Sequence, residues 1–487
     1  MDRPTVEPHL FIVFGATGDL MQRKLLPALY RLRERGEFPA GSVILGVARR
    51  PMDDASFGAA AVEWLTAEKI APEETLRAFA GTTLAYHRLE DESPESFVRL
   101  RDAIAALESA RGLGGDRIFY LALPPEALRS TLDGLGGAGL AAGPGWTRVV
   151  VEKPFGRDLA SAQALNAALH AHFTESQVYR IDHYLGKETV QNLLVFRFAN
   201  MFVESLWNRE RVERVEITVA ESLGIEGRAA YYETSGALRD MIQNHVTQVL
   251  TLVAMEPPAT RTEEAVRNEK VKVLRSIAPI GVDDVVRGQY ASGTVAGAPV
   301  PGYLAEPGVA AGSTTETYIA LRLRVTNWRW QGVPFFLRSG KRLPAKSSRV
   351  VLTLKAPPVS FFPTDQEYEM NPDRISILIQ PEEGFEIAFE IKVPGRELKV
   401  QTHRMKFHYA DVFGPLPDGY ETLLLDAMLG DPTLFVRADE VEESWQVYDS
   451  VLQHPPALAP YAAGSWGPEA AERLAEQWGH RWWDESA

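Results

Sequence analysis

Short, uninterrupted apolar runs alternate with segments of helical periodicity in roughly the first 180 residues of the chain. After the first run, residues from about 20 to 35 have a helical pattern, although Pro27 is expected to kink or shorten that helix. Strands that alternate with helices in this way are typical of a parallel, doubly wound sheet. The pattern therefore predicts an α/β domain over residues 1–182, with strands in HLFIVFGATGD, SVILGVARR, DRIFYLALPP and TRVVVEKPFG.

After about Asp182 the apolar runs give way to stretches in which apolar and polar residues alternate. An alternating pattern is typical of half-buried strands, and few helical segments separate these. Residues 183–487 are therefore predicted to form a larger α+β domain with a mainly antiparallel sheet. The Gly/Ala/Pro-rich stretch from Tyr290 to Thr317 is expected to be a long loop. The alternating stretches are VERVEITVAE, TYIALRLRVTNW, SRVVLTLKA, RISILIQ and EIAFEIKV.

Composition narrows the function classes. The formal net charge is −14, and Lys and Arg form no basic block, which argues against a nucleic-acid partner. The chain has no cysteine, so disulfides, thiol nucleophiles and thiolate metal sites are excluded. No apolar run is long enough for a membrane span, and the N-terminus lacks a signal-peptide pattern, so we expect a cytoplasmic protein. His170 and His172 point apart on a helix, and no metal site is predicted.

A glycine-containing turn, Gly15-Ala16-Thr17-Gly18-Asp19-Leu20, follows the first predicted strand and opens a helix. Glycines let the backbone approach a pyrophosphate, and the helix N-terminus supplies N–H donors. Met21 occupies the position of the third glycine in the usual fingerprint, so a tight turn without a ligand is a serious alternative. The turn predicts a Rossmann-like dinucleotide-binding domain.

The second predicted strand ends in Arg49-Arg50, where NAD-binding domains carry an acidic residue that holds the ribose hydroxyl. A guanidinium there favours binding of the 2′-phosphate of NADP. The alternative is that both arginines are surface residues without a ligand. Use of both NAD and NADP also stays open. Lys153-Pro154 follows the last predicted strand of this region, at the edge where such folds bind ligands. Lys153 could serve a nicotinamide or a substrate hydroxyl, or simply reach solvent.

The segment from Arg180 to Glu188 is dense in ionisable groups. If it is helical, His183 and Lys187 lie one turn apart and suit a phosphate dianion; a polar surface helix is an equal alternative. Gly186 would weaken such a helix, which suggests the close approach of a ligand.

Glu221 continues the buried face of the strand that contains VEITVAE, so its carboxylate is expected to be paired or functional unless the strand has already ended. His245 lies on an apolar helical stripe, where it is either a core residue or a general base. Asp240 precedes it by five residues and points away from it on a regular helix, so the orienting carboxylate should come from elsewhere. Lys341 and Lys346 follow VPFFLRSG and could add positive charge over an anionic ligand, or be solvated.

Five stretches occur in an order that resembles the glucose-6-phosphate dehydrogenases, and the resemblance extends from Phe11 to about Leu452. RIDHYLGKE followed by RDMIQNH is highly specific, whereas GATGDL alone is not. The stretches are GATGDL, EKPFGRDL, RIDHYLGKE, ESLGIEGRAAYYETSGALRDMIQNH and VPFFLRSGKRLPAK.

The resemblance implies oxidation of glucose 6-phosphate at C1, with hydride transfer to NADP and release of a lactone. His245 is implied as the general base and Asp182 as its orienting partner. The family's phosphate contacts correspond to His183, Tyr184 and Lys187, and its sugar-hydroxyl contacts to Glu221, Asp240 and Lys341. Lys346 corresponds to another substrate lysine. Lys153 corresponds to a lysine between sugar and nicotinamide, with Pro154 in the cis form, and the coenzyme positions are Gly15, Thr17, Gly18, Asp19, Leu20 and Arg49.

The family is oligomeric, so a homodimer or homotetramer is expected, with the sheet of the second domain as the interface. Two alternatives stay open at this point. One is a dehydrogenase of another sugar phosphate or of free glucose, and the other is an NADP-binding sensor or scaffold without activity.

Overall fold

The computed structural model describes residues 6–359, 371–395 and 399–483. They divide into two compact units. The first comprises Met1–Gly186, Arg261–Arg267 and Pro417–Glu442, and the second comprises Lys187–Thr260, Asn268–Leu416 and Glu443–Ala487. The predicted boundary between residues 182 and 183, which separates coenzyme binding from substrate binding, stays a prediction. The compact units differ from it in that two later segments, residues 261–267 and 417–442, belong to the first unit.

The first unit contains a six-stranded parallel sheet in the order β3-β2-β1-β4-β5-β6, which confirms the predicted Rossmann-like fold. The four predicted strands are present. Two further strands, β3 and β6, form the sheet edges, and they escaped prediction because His87 and Arg88 in β3 and Arg180 in β6 interrupt their apolar runs. The bounds are β1 Leu10–Phe14, β2 Val43–Ala48, β3 Leu84–Arg88, β4 Arg117–Leu121, β5 Thr147–Glu152 and β6 Val178–Ile181.

Helices connect these strands and cover the sheet. The helix expected near residues 20–35 is a π-helical turn, Met21–Leu25, followed by a regular helix that carries Pro27 in its first turn, where a missing N–H costs little. The helices of both units, in chain order, are α1 Leu26–Glu34, α2 Asp54–Ala67, α3 Glu73–Thr83, α4 Pro94–Arg111, α5 Pro125–Gly137, α6 Leu159–His170, α7 Glu188–Phe198, α8 Met201–Leu206, α9 Ala229–Ala237, α10 Thr247–Ala254, α11 Glu263–Arg275, α12 Tyr409–Phe413, α13 Gly419–Leu429, α14 Ala438–Gln453 and α15 Glu469–Glu476.

Helix α13 completes the core of the first unit from the far end of the sequence. Leu423 and Leu424 are fully buried among the apolar residues of β1 and α1. At the margin of this contact, the buried carboxylate of Glu421 accepts hydrogen bonds from Arg31 at 3.0 Å and Arg35 at 2.6 Å. The first unit therefore needs α13 to cover its apolar surface.

The second unit is built on a nine-stranded sheet in the order β16-β15-β14-β13-β7-β12-β11-β8-β17. All its strand pairs are antiparallel except β7 with β12 and β8 with β17, which confirms a mainly antiparallel sheet. The bounds of its strands are β7 Val212–Ala220, β8 Val285–Ala291, β11 Tyr318–Arg324, β12 Pro334–Gly340, β13 Ser347–Leu354, β14 Arg374–Gln380, β15 Gly384–Lys392, β16 Val400–His408 and β17 Leu458–Ala462. Two short strands, β9 Gly293–Val295 and β10 Ala298–Val300, form a separate sheet.

Two details differ from the sequence-based picture of this unit. Residues 290–317 are not one long loop: β9 and β10 pair as a hairpin, turned at Ala296 and Gly297, which both have positive φ. Strand β7 is also buried on both faces rather than one. Glu216 and Thr218, on the face expected to meet solvent, are each 3% exposed. The C-terminal segment covers that face, since the backbone N–H of Trp483 donates to Glu216 at 2.7 Å.

Among the described residues, the helices fall short of the length and apolarity that crossing a bilayer requires.

His9 lies fully buried at the start of β1, with its ring close to those of Phe38 and Trp146. Nδ1 lies 2.9 Å from the carbonyl oxygen of Glu7. Burial disfavours the charged imidazolium and lowers the pKa of His9 to about 4, from an ordinary value of 6.5. The unfolded chain therefore binds this proton more readily than the native protein does.

We predict that the first unit loses stability as the pH falls from 6.5 to 4, and that His9 accounts for about 3 kcal/mol of the loss. In His9→Leu this component should vanish, whereas His454→Gln, at an exposed histidine, should keep it. Chemical unfolding of the three proteins across this pH range measures the difference. Parallel pH profiles for wild type and His9→Leu would contradict the assignment.

Candidate active site

The candidate residues of the first unit follow the carboxyl ends of its parallel strands. Gly15 follows β1, Arg49 follows β2, Lys153 follows β5 and Asp182 follows β6. Because these strands are parallel, all four positions lie along the same edge of the sheet. This edge is where ligands bind in open α/β sheets.

A groove of about 660 Å³ opens at this edge, a volume suited to a cofactor. Gly15, Thr17 and Gly18 line it. Gly15 has a φ of 80°, and a Cβ there would lie 2.2 Å from the carbonyl oxygen of Ala122, so only glycine fits. The N–H of Gly18 donates to the carbonyl oxygen of Gly15 at 2.9 Å, which closes the turn.

The remaining positions of the turn have ordinary surroundings. Asp19 is exposed and pairs with Arg23 at 2.8 Å, and Leu20 is half-buried ahead of the π-helical turn. Met21, in place of the third glycine, is fully buried in the core. Its side chain provides the helix–sheet packing at this point.

Arg49 and Arg50 are exposed and line the same groove. Their backbone is held from β3, because the hydroxyl of Tyr86 lies 2.6 Å from the carbonyl oxygen of Arg50 and 3.2 Å from that of Ala48. Asp91 and Glu92 also line the groove, so the two guanidinium groups form a local positive site in otherwise acidic surroundings. The sequence-based reasoning did not single out Tyr86.

Lys153 and Pro154 are joined by a cis peptide bond, as the resemblance implied. The preceding residue, Glu152, accepts hydrogen bonds from the hydroxyls of Tyr120 at 2.5 Å and Tyr420 at 3.1 Å. Burial raises the pKa of Glu152, against the opposing effect of the two tyrosine hydroxyls. Lys153 therefore follows a strand end whose position is fixed by the hydrogen bonds of Glu152 to Tyr120 and Tyr420.

The segment that follows β6 is a turn, and the helical spacing considered for His183 and Lys187 does not apply. Oδ1 of the buried Asp182 accepts the N–H of Tyr184 at 2.9 Å, and its carbonyl oxygen accepts the N–H of Leu185. Lys187 then stands at the N-cap of α7. An aspartate that bonds to the backbone two residues later favours a turn over a helix.

Gly186 has a packing role, and the close approach of a ligand to it stays a prediction. A Cβ there would lie 2.3 Å from the carbonyl oxygen of Gly419, at the start of α13. The ring of His183 lies close to the rings of two tyrosines of the same unit. Tyr184 meets it edge-on at 5.1 Å, and Tyr420 stacks parallel to it, with an interplanar angle of 5° at 6.3 Å.

In the second unit, Glu221 and Lys341 each follow the end of one of two parallel neighbours, β7 and β12. Lys341 is almost fully buried, and its Nζ lies 2.6 Å from Oε2 of Glu221 and 5.1 Å from the ring centre of Tyr232. The strand has already ended at Ala220, and the carboxylate of Glu221 is paired, which is one of the expected alternatives. Lys346 is exposed, in the loop before β13.

Asp240 and His245 lie in a π-helix, Leu238–Val246, that precedes α10. Hydrogen bonds in a π-helix join residues five apart, so these two positions share a helix face. The expectation that Asp240 points away from His245 assumed a regular helix and was wrong. Two side chains follow the same period: Asn244 donates to the carbonyl oxygen of Arg239, and Thr247 to that of Ile242.

Both polar residues of this π-helix are buried: Asp240 is 8% exposed and His245 1%. The hydroxyl of Tyr231 donates to Oδ1 of Asp240 at 3.0 Å. Leu238, Met241, Ile242, Val249 and Leu252 are buried as the stripe predicted. Within the second unit the structure thus describes Glu221 with Lys341 and Asp240 with Tyr231; the pairing of Asp182 with His245 stays a prediction.

The comparisons with known proteins agree over the length of the chain. The model of the glucose-6-phosphate dehydrogenase NAD binding domain matches residues 12–192, and that of the C-terminal domain matches residues 194–483. A glucose-6-phosphate 1-dehydrogenase from Aggregatibacter actinomycetemcomitans is 44% identical over 97% of this chain and 96% of its own. The enzyme of that name from Bacillus subtilis is 41% identical over 98% of both chains.

Two solved structures show the same similarity. A glucose-6-phosphate dehydrogenase in complex with glucose 6-phosphate is 33% identical and has a TM-score of 0.90, covering 99% of this chain and 100% of its own. The glucose-6-phosphate 1-dehydrogenase from Mycobacterium avium is 36% identical with a TM-score of 0.86, covering 99% of both chains.

The π-helix begins at a junction that requires glycine. Gly236 has a φ of 63° and a ψ of 178°, and a Cβ there would lie 2.4 Å from Oε1 of Glu316. Glu316 accepts a hydrogen bond from the N–H of Leu238 and forms an ion pair with Arg287 at 3.0 Å. A movement of its side chain away from residue 236 would therefore break these interactions.

We predict that Gly236→Ala costs roughly 2–4 kcal/mol of stability and speeds amide exchange across residues 238–246. Gly227→Ala is the matched control, because Gly227 also has a positive φ but a Cβ there would meet no atom within 4 Å. It should cost about 1–2 kcal/mol and leave the π-helix unchanged. Equal effects of the two substitutions would contradict the role of the Glu316 contact.

Proposed function

Since the chain belongs to the glucose-6-phosphate dehydrogenase family, we propose that it oxidises glucose 6-phosphate at C1, with NADP as the hydride acceptor. The observation that carries this proposal is the full-length match to relatives of that name, together with family models whose matched ranges include every candidate residue. The product is 6-phosphogluconolactone, the entry point of the pentose phosphate pathway. The protein is an oxidoreductase that uses a nicotinamide coenzyme.

We assign the proton transfer to His245, whose imidazole accepts the proton of the C1 hydroxyl. Asp182 holds that imidazole in the tautomer whose other ring nitrogen accepts the proton, and it stabilises the imidazolium. When bound, the coenzyme supplies the hydride acceptor. The protein's contribution is a correctly placed base and the alignment of the sugar.

Recognition of the sugar phosphate is divided among the remaining residues. His183, Tyr184 and Lys187 bind the phosphate, and Lys346 adds a further positive charge. The Glu221–Lys341 pair supports this assignment, because a carboxylate and an ammonium 2.6 Å apart present both an acceptor and a donor to sugar hydroxyls. Asp240 supplies another acceptor.

The groove at the carboxyl edge of the parallel sheet holds the coenzyme. Gly15, Thr17, Gly18, Asp19 and Leu20 form its pyrophosphate turn, and Lys153 lies between nicotinamide and sugar. Arg49 binds the 2′-phosphate. The exposure of two adjacent guanidinium groups at the groove favours NADP over NAD.

Residues 1–182 accordingly carry the coenzyme, and residues 183–487 carry the substrate and the oligomer contact. We infer a homodimer or homotetramer in the cytoplasm, formed through the sheet of the second unit. Exposed apolar residues near the edge strand β16 support this: Met405 is 59% exposed and Phe413, on α12, is 68% exposed.

We predict that the purified protein reduces NADP with glucose 6-phosphate at least about 100-fold more efficiently than with glucose, because three of the proposed contacts go to the phosphate, which glucose lacks. The absorbance of the reduced nicotinamide, recorded with both sugars and both coenzymes, measures this. Equal catalytic efficiency with glucose would overturn the substrate assignment, and no reduction at all would favour a sensor or scaffold.

His245→Ala should lower kcat by roughly 10²–10⁴-fold while both ligands still bind, because a general base contributes to the reaction rather than to ground-state binding. Steady-state rates and calorimetric titration of each ligand measure the two effects. His454→Gln, at an exposed histidine of the same unit, should retain full turnover. Near-normal turnover of His245→Ala would show that another group is the base.

A further inference from the structure

Helix α13 contributes a side chain to the turn that carries the proposed phosphate-binding residues. Its first turn packs on that segment: the backbone of Gly419 meets Gly186, and a Cβ on Gly419 would lie 2.9 Å from the carbonyl oxygen of His183. The next residue, Tyr420, is 8% exposed and stacks parallel to the imidazole of His183. All these residues belong to the first compact unit.

The ring of Tyr420 is fixed from its far side. Its hydroxyl donates to Oε1 of Glu152 at 3.1 Å, and the same oxygen accepts the hydroxyl of Tyr120 at 2.5 Å. Glu152 ends β5 and pairs in register with Ile181, the last residue of β6. Tyr420 is therefore tied to the same pair of strands from which the Asp182–Tyr184 turn emerges.

The stacking defines where the imidazole of His183 points. Tyr184 contacts the ring edge-on, with an interplanar angle of 66°, and Tyr420 lies parallel to it in an offset arrangement with ring centres 6.3 Å apart. Aromatic pairs of both geometries are favourable at these ring distances, and an aromatic face also attracts a cationic ring. An imidazole held in this way loses little rotational freedom when it binds an anion.

We propose that Tyr420 is a positioning residue for substrate phosphate recognition, acting through His183 and anchored by Glu152. This inference rests on the proposed function, in which His183 binds the phosphate. In this role Tyr420 acts through His183 and not by direct contact with sugar or coenzyme, so its removal should weaken the binding of a phosphorylated sugar and leave the chemical step almost unchanged.

A simple packing role for Tyr420 makes a different prediction. If the residue only fills the core, its loss lowers stability and affects every substrate to a similar degree. If it positions His183, its removal lowers the affinity for glucose 6-phosphate and does not affect glucose, which has no phosphate. This effect should also disappear in a protein that already lacks the imidazole of His183.

The test compares Tyr420→Phe, Tyr420→Leu, His183→Ala and the double variant His183→Ala/Tyr420→Leu in the full-length enzyme. Tyr420→Phe keeps the ring and loses the Glu152 tether, and it should raise KM for glucose 6-phosphate about two- to fivefold. Tyr420→Leu also loses the stacking and should raise KM roughly tenfold, with kcat within about threefold of wild type. Both variants should leave kcat/KM for glucose and KM for NADP unchanged.

The double variant decides between the two roles. Its KM for glucose 6-phosphate should equal that of His183→Ala alone, because groups that act as a unit are not additive. Tyr179→Phe is the control for loss of a buried tyrosine hydroxyl in the same unit, since Tyr179 packs on Phe435 instead. It should keep wild-type values.

Two results would overturn the inference: additive effects in the double variant, or equal losses with glucose and glucose 6-phosphate. Tyr420→Phe retains the ring and nearly the full volume, so it gives an answer even where Tyr420→Leu fails to fold. A wild-type enzyme without preference for the phosphorylated sugar would instead refute the proposed function, which is recognisable before any variant is compared.

Discussion

Strands that pair in parallel end at the same edge of their sheet, and the candidate residues of both units depend on this constraint. In the first unit the parallel order β2-β1-β4-β5-β6 brings loops from distant parts of the sequence to one edge. In the second unit the largely antiparallel sheet has a parallel pair, β7 and β12, and the Glu221–Lys341 ion pair forms where these two strands end.

Buried polar groups stabilise both edges. In the first unit the Glu152 carboxylate receives two tyrosine hydroxyls, one from β4 and one from α13. In the second unit Glu316 fixes the start of the π-helix through the N–H of Leu238, and Gly236 makes room for it. A buried carboxylate is costly unless it is hydrogen-bonded, so such groups specify one arrangement of the backbone around them.

The sequence predicted the elements whose hydrophobic pattern is continuous, and missed those that depend on distant parts of the chain. The central strands of both sheets were recognised, whereas polar or charged residues interrupt the short apolar runs of β3 and β6. The glycine turn and Glu221 were found because the sequence pattern that marks each of them is local, although their contacts are with distant residues. The π-helix was missed since its period differs from that of a regular helix, and this misplaced Asp240 relative to His245. Tyr420 gave no local signal, because its role depends on contacts with residues 152 and 183.

The discontinuity of the first unit has a consequence for biosynthesis. A ribosome releases the six parallel strands long before it has made Leu423, Leu424 and Phe435, which fill the same core. The nascent N-terminal region therefore has an uncovered apolar surface until translation has passed residue 435. During that interval the chain stays soluble only if it aggregates slowly or is bound by chaperones. A fragment that ends near residue 186 would keep this apolar surface exposed permanently.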